Sequence, residues 1–188
     1  MSAGKGFTLI GLMIGIAIIS ILATTTIPNL SIFITKLHVS AQASSLQRLL
    51  LLARNNAINY DQVVTVCPLD NSLNCTNQWQ NELTVFIDHN ADKHLSYAEH
   101  DRILATKSAL SDDDRLLFAK GRKAVKYAAT GRLHGWGSNG TFRYCPKHHV
   151  ELAKGIIIAV SGRVYLTTDT DHDGVDENRH NSELSCTQ

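Results

Sequence analysis

No charged residue occurs between Phe7 and Thr35. The core of that run, residues 7–27, is 21 residues long and is followed by Pro28. A helix of about 20 apolar residues crosses the hydrocarbon core of a bilayer. The run predicts one N-terminal membrane helix over residues 7–35, behind a leader of residues 1–6. A cleaved secretory signal peptide is the competing reading. It fits poorly, because the charged leader ends at Gly6, the apolar stretch is long and no A-x-A site follows.

Beyond residue 35 the helix continues in a different style. Val39, Ala43, Leu46, Leu49, Leu50, Ala53 and Ala57 recur at three- and four-residue spacing, while Gln42, Ser45, Gln47, Arg48 and Arg54 take much of the other face. That pattern predicts an amphipathic helix packed on a domain, ending near Asn59. The period then changes. Residues 63–67, 83–87, 103–106, 116–118, 125–129, 141–145, 156–160 and 164–167 read as short strands separated by Gly, Asn and Asp clusters. A helix followed only by strands predicts an α+β fold, with the long N-terminal helix packed on antiparallel sheet. No linker interrupts residues 36–188, which form one globular domain on a membrane stalk in this reading.

The N-terminal residues carry a resemblance. Gly6, ending a leader that contains Lys5, is followed at once by Phe7-Thr8-Leu9-Ile10. This resembles the class III signal of type IV pilins and type II secretion pseudopilins. The resemblance implies cleavage by prepilin peptidase between Gly6 and Phe7, N-methylation of Phe7 and a mature chain of 182 residues. Pro28 sits where this family usually has a proline that kinks or melts the helix during assembly, as loss of a backbone donor would favour. The fifth mature position, usually a glutamate that pairs with the neighbouring subunit's amine, is Gly11. Its loss lowers the cost of waiting in lipid, removes a docking contact and suggests a low-copy or terminal subunit.

A narrower resemblance runs through the middle. Leu52-Ala53-Arg54-Asn55-Asn56-Ala57-Ile58, Val64-Thr65-Val66-Cys67-Pro68, Cys75, Trp79, Val85-Phe86-Ile87-Asp88 and Ser161-Gly162-Arg163-Val164 occur in that order. The ordered set is similar to the GspH/FimT family of minor pilins. It implies a low-abundance subunit of a type IV pilus or a type II secretion pseudopilus, near the filament tip. The chain would be anchored in the bacterial inner membrane with a periplasmic domain, then assembled with other pilins. FimT-type relatives bind DNA through a Gly-Arg-x-Arg motif, matched here by Gly162-Arg163-Val164-Tyr165, in which tyrosine replaces the second arginine.

Charge is partitioned along the chain. Residues 115–165 hold ten Lys or Arg and a single acid, Glu151, whereas residues 88–114 and 166–188 are net acidic. The cations lie among Tyr127, Trp136, Phe142, Tyr144 and Tyr165. Phosphate-binding cations with aromatic platforms suit DNA. Lys120, Arg122, Lys123, Lys126, Arg143, Arg163 and Tyr165 are therefore the candidate contacts for extracellular DNA. A solvated strand face is the plain alternative, and with it a purely structural priming subunit for protein secretion.

Export favours two disulfides among Cys67, Cys75, Cys145 and Cys186. Three pairings exist, of which the most local joins Cys67 to Cys75 and Cys145 to Cys186. A zinc site at Cys145, His148 and His149 is the rival. Two acidic loops have calcium-ligand spacing. Asp88, Asn90 and Asp92, with Ser96 and Glu99, match EF-hand positions but have Lys93 where the glycine belongs. Asp169, Asp171, Asp173 and Gly174, with Asp176 and Glu177, keep the glycine but have His180 in place of the bidentate glutamate. No cofactor is expected beyond calcium at these two loops. No G-x-S-x-G, P-loop or H-E-x-x-H motif is present, and the nine histidines are scattered, so no enzyme is expected.

Overall fold

The computed structural model describes residues 8–188, except 112–113, 136–137, 179–180 and 188, and except the side chains of residues 23–29. The expected processing residues, Gly6 and Phe7, lie outside the described residues, as do Trp136 and His180. The chain divides into two compact units, Met1–Leu37 and His38–Gln188.

A single helix, α1 (Leu9–Tyr60), contributes to both units. In the first unit Thr8 acts as a cap, its Oγ1 accepting from the Gly11 amide at 3.2 Å. Leu9, Ile10, Met13 and Ile14 are exposed. The hydroxyls of Ser20 and Thr35 donate to the carbonyls of Ile16 and Ser31 one turn back, so these polar groups are satisfied within the helix. Among the described residues, no helix is long and apolar enough to cross a membrane. The expected span over residues 7–35 runs through positions 23–29, whose side chains are outside the description.

In the second unit the periodicity is realised in full. Val39, Ala43, Leu46, Leu49, Leu50, Ala53 and Ala57 are all buried in one core cluster. Eight strands follow: β1 (Val64–Pro68), β2 (Leu83–Ile87), β3 (Arg102–Lys107), β4 (Arg115–Leu117), β5 (Val125–Tyr127), β6 (Gly140–Cys145), β7 (Lys154–Ile158) and β8 (Val164–Leu166). They form two antiparallel sheets, in the orders β3-β2-β1-β5 and β4-β6-β7-β8. Both sheets give side chains to the cluster that holds the helix stripe: Val64, Val66, Val85 and Ile87 from the first, Phe142, Tyr144, Ile156 and Ile158 from the second.

The central strands β1 and β2 are buried at every position. Successive side chains of a strand point to opposite faces, so burial at every position requires cover on both. One face of β1 and β2 meets the helix. On the other, Cys67 and Phe86 pack with Cys75, Leu95 and Ala124 in a second cluster. Cys67 is bonded to Cys75, and Cys145 to Cys186. The zinc alternative is thereby excluded at Cys145, whose sulfur is not a thiolate, and His149 Nδ1 lies 2.9 Å from Glu151 Oε1 instead. Trp79, in the loop leading to β2, joins the sheets. Its indole N–H donates to the Arg122 carbonyl at 2.9 Å, and its ring meets Phe118 and Phe142 edge-on at 5.2 and 4.8 Å.

Candidate functional site

The cationic block does not form one surface. Arg143, in β6, donates through Nη1 to the carbonyls of Ser185 at 2.6 Å and Thr187 at 3.1 Å, holding the C-terminal tail beside the Cys145–Cys186 bond. Lys126, in β5, donates to the Ala91 carbonyl at 2.9 Å. Burial, then Lys93, hold its ammonium below the usual lysine range, against the pull of Asp88 and Asp92. Lys154 pairs with Asp176 at 2.9 Å. Tyr165, half-buried in β8, pairs with Ile157 of β7. These residues are committed to the fold.

Of the block's exposed cations, Arg115 and Lys147 stand apart, and the remaining four fall in two places. Lys120 and Lys123 are exposed in the loop between β4 and β5. Lys120 and Arg122 line a groove of about 230 Å³ together with Trp79, Phe118 and Arg143. The other place is a pair of tight turns. Gly131 donates to the Ala128 carbonyl and Gly162 to the Ala159 carbonyl, each at 2.8 Å and each with positive φ, 71° and 80°. A Cβ at Gly162 would come within 1.9 Å of the Gly131 carbonyl oxygen, so only glycine lets these turns touch. Arg54 of α1 donates from Nε to that same oxygen at 2.9 Å. Arg132 and Arg163, both exposed, thus leave adjacent turns above a third arginine.

The two acidic loops differ in how their carboxylates are used. Asp88 is fully buried. Its Oδ2 accepts the Thr65 hydroxyl at 2.6 Å and the Lys93 amide at 3.2 Å, and its Oδ1 accepts the Asp92 amide at 3.1 Å. Asn90 donates from Nδ2 to Asp92 at 3.0 Å and to Glu99 at 2.7 Å. A side-chain N–H therefore stands between the carboxylates where a cation was expected. In the second loop, one carboxylate oxygen each from Asp169, Asp171, Asp173 and Glu177 lie within 4.8 Å of one another. Of the two acids expected to follow Gly174 in this loop, only Glu177 is in this group. Asp176 turns away to Lys154 Nζ at 2.9 Å and accepts the Thr167 hydroxyl at 2.6 Å.

Sequence reasoning missed a polar cluster that ties α1 to the second sheet. His38 Nε2 lies 3.1 Å from Asp114 Oδ2 and 3.0 Å from the Tyr144 hydroxyl, which itself donates to Asp114. Burial alone would raise the Asp114 pKa. Hydrogen bonds from Tyr144, His38, the Lys147 amide and Ser111 outweigh burial and hold it below its ordinary value. Burial, then the bond and charge of Asp114, push the Tyr144 phenol well above its usual range. The three residues stand 76 and 30 positions apart in the chain, a separation that no local pattern reveals.

A long N-terminal helix, with its second half packed against two antiparallel sheets, defines a type IV pilin-like protein. The minor pilin FimU of Pseudomonas aeruginosa has a similar fold in two crystal forms. The TM-scores are 0.58 and 0.54 at 16% identity, over 72% and 69% of this chain and 92% of that one. The minor pseudopilin EpsH of the Vibrio cholerae type 2 secretion system aligns at a TM-score of 0.47 and 18% identity, over 68% of this chain and 94% of its own. The chain belongs to the GspH family: the family of the type II transport protein GspH matches residues 42–162. The prokaryotic N-terminal methylation motif matches residues 1–27. No curated protein matches the chain. The family and the fold make it a pilin- or pseudopilin-type subunit.

Proposed function

We propose that this chain is a low-abundance filament subunit, cut by prepilin peptidase before Phe7 and anchored in the inner membrane by its apolar N-terminal segment. It would then pack among other pilins through that segment, with its domain near the filament tip and no catalytic role. The observation that carries this reading is the contrast along α1. Residues 39–57 bury one apolar stripe in their own domain, whereas Leu9, Ile10, Met13 and Ile14 are apolar and exposed and ask for lipid or neighbouring helices. Gly11 supports a terminal position, because a subunit without the usual acidic group lacks one docking contact. The test is mass spectrometry of the chain recovered from membranes of a host with prepilin peptidase. The expected product starts at Phe7 and carries one added methyl group. A chain that keeps Met1 would overturn the reading.

A second reading, capture of extracellular DNA, is favoured by the contact between the Gly131-Arg132 and Gly162-Arg163 turns. Two exposed guanidinium groups on adjacent rigid turns suit neighbouring phosphates. Here Arg132 supplies, from another loop, the second cation that Tyr165 does not. Fluorescence anisotropy of the full chain in detergent, titrated with duplex DNA across a salt series, tests it. Expected are steep loss of affinity with salt and at least about 10-fold weaker binding for the Arg132→Ala, Arg163→Ala double variant. No binding at low salt would leave the structural role alone.

A further inference from the structure

We propose that the loop of residues 169–177 is a calcium site, with Asp169, Asp171, Asp173 and Glu177 as its carboxylate ligands. The first support is the ring itself, four carboxylate oxygens within 4.8 Å of one another. Acidic side chains on a solvated loop spread apart to reduce repulsion, and these do not. The second is independent of the first. Glu177 is 7% exposed, and its Oε1 is buried without a hydrogen-bond partner among the described residues. Its Oε2 is held by the Thr170 amide and hydroxyl, both at 2.6 Å, so the side chain has a fixed direction. A buried carboxylate oxygen with no donor carries the full cost of its desolvation. A divalent cation in the ring removes that cost and the mutual repulsion together.

The backbone is shaped accordingly. Asp169 accepts the His172 and Gly174 amides at 2.7 and 2.9 Å, Asp171 the Asp173 amide at 3.2 Å, and Asp173 the Val175 amide at 2.8 Å. These bonds curl the loop around its own carboxylates. Gly174, at φ 98°, makes the turn that the sixth position of a calcium loop requires. All-oxygen, all-anionic ligands select a hard cation. Ligands on an irregular loop suit calcium's flexible coordination better than the strict octahedron of magnesium. The ring lies beyond residue 162, where the match to the GspH family ends, so membership in that family does not supply it.

The test is calorimetric titration and thermal unfolding of the full chain, purified in detergent and stripped with chelator, using calcium chloride as the probe. Expected is saturable binding with a dissociation constant on the order of 10⁻⁴ M, as in extracellular calcium modules. It should come with a Tm that climbs with calcium and falls back with chelator. Magnesium at equal concentration should reproduce only a small part of the rise. Glu177→Gln keeps the shape and the acceptor for Thr170 and should weaken calcium binding at least about 10-fold. Asp171→Asn, an exposed position, should do the same and serves if the first variant does not fold. Two outcomes overturn the proposal: no heat and no Tm change up to about 10 mM calcium, or an affinity that both substitutions leave intact.

Discussion

The loops at residues 88–101 and 169–177 look alike as sequence. Each places Asp or Asn at every second position (Asp88, Asn90 and Asp92; Asp169, Asp171 and Asp173), and each follows a strand. In the first, Asp88 is buried and occupied by Thr65 and two amides, and the Asn90 side-chain amide hydrogen-bonds the exposed Asp92 and Glu99. In the second, four carboxylates converge and one buried oxygen has no donor among the described residues. The pattern of acids sets the curl of a loop, because carboxylates hydrogen-bond amides two to five residues on. Whether that curl is complete or waits for a cation depends on what else reaches in. Thr65 on β1 and Asn90 fill the first loop.

Four substitutions test this contrast. Asp88→Ala should have the largest effect, about 3 kcal/mol of destabilisation by denaturant unfolding, whether or not calcium is present. It strands the buried Thr65 hydroxyl and the Asp92 and Lys93 amides. Glu177→Gln should act in the opposite sense without calcium, stabilising by about 1 kcal/mol as an unpaired buried charge is removed, and the same variant should lose the calcium-dependent rise in Tm. Asp114→Asn leaves both loops intact and gauges the polar cluster instead, with an expected cost of about 1 kcal/mol near neutral pH. Because the folded pKa of Asp114 lies below the ordinary 3.8, its contribution is present above that value and is lost as pH falls through the folded pKa. The acid limb of a stability-against-pH curve should accordingly be shallower in Asp114→Asn. Asp92→Asn should change stability by less than about 0.5 kcal/mol and leave the calcium response untouched. A lost response there would erase the distinction between the loops.

Periodicity made much of the fold legible. The seven apolar positions of the helix stripe are all buried, and each expected strand overlaps an observed one, because three- to four-residue and two-residue repeats are local properties of the chain. Partner choice is not local. Nothing in residues 125–127 announces that β5 pairs with β1, or in residues 115–117 that β4 leaves for the other sheet. The site was legible to the same depth. The acids of the second loop were visible, but which of Asp176 and Glu177 faces the ring was not. Adjacent residues in extended backbone point to opposite sides, so the choice turns on Thr170 on one side and Lys154 with Thr167 on the other. Arg143 and Lys126 counted as outward charge in the sequence. Their carbonyl partners, on the C-terminal tail and at Ala91, lie far off in the chain.

Trp79 stands with its ring enclosed by Phe118 and Phe142 and its N–H on Arg122, beside the seam where one sheet meets the other. Indole emission moves to longer wavelength when water reaches the ring. The chain has only one other tryptophan, Trp136, and replacing it by phenylalanine leaves a single indole. The protein thus carries a built-in optical gauge: parting of the two sheets would register as a red shift even while each sheet kept its own strands.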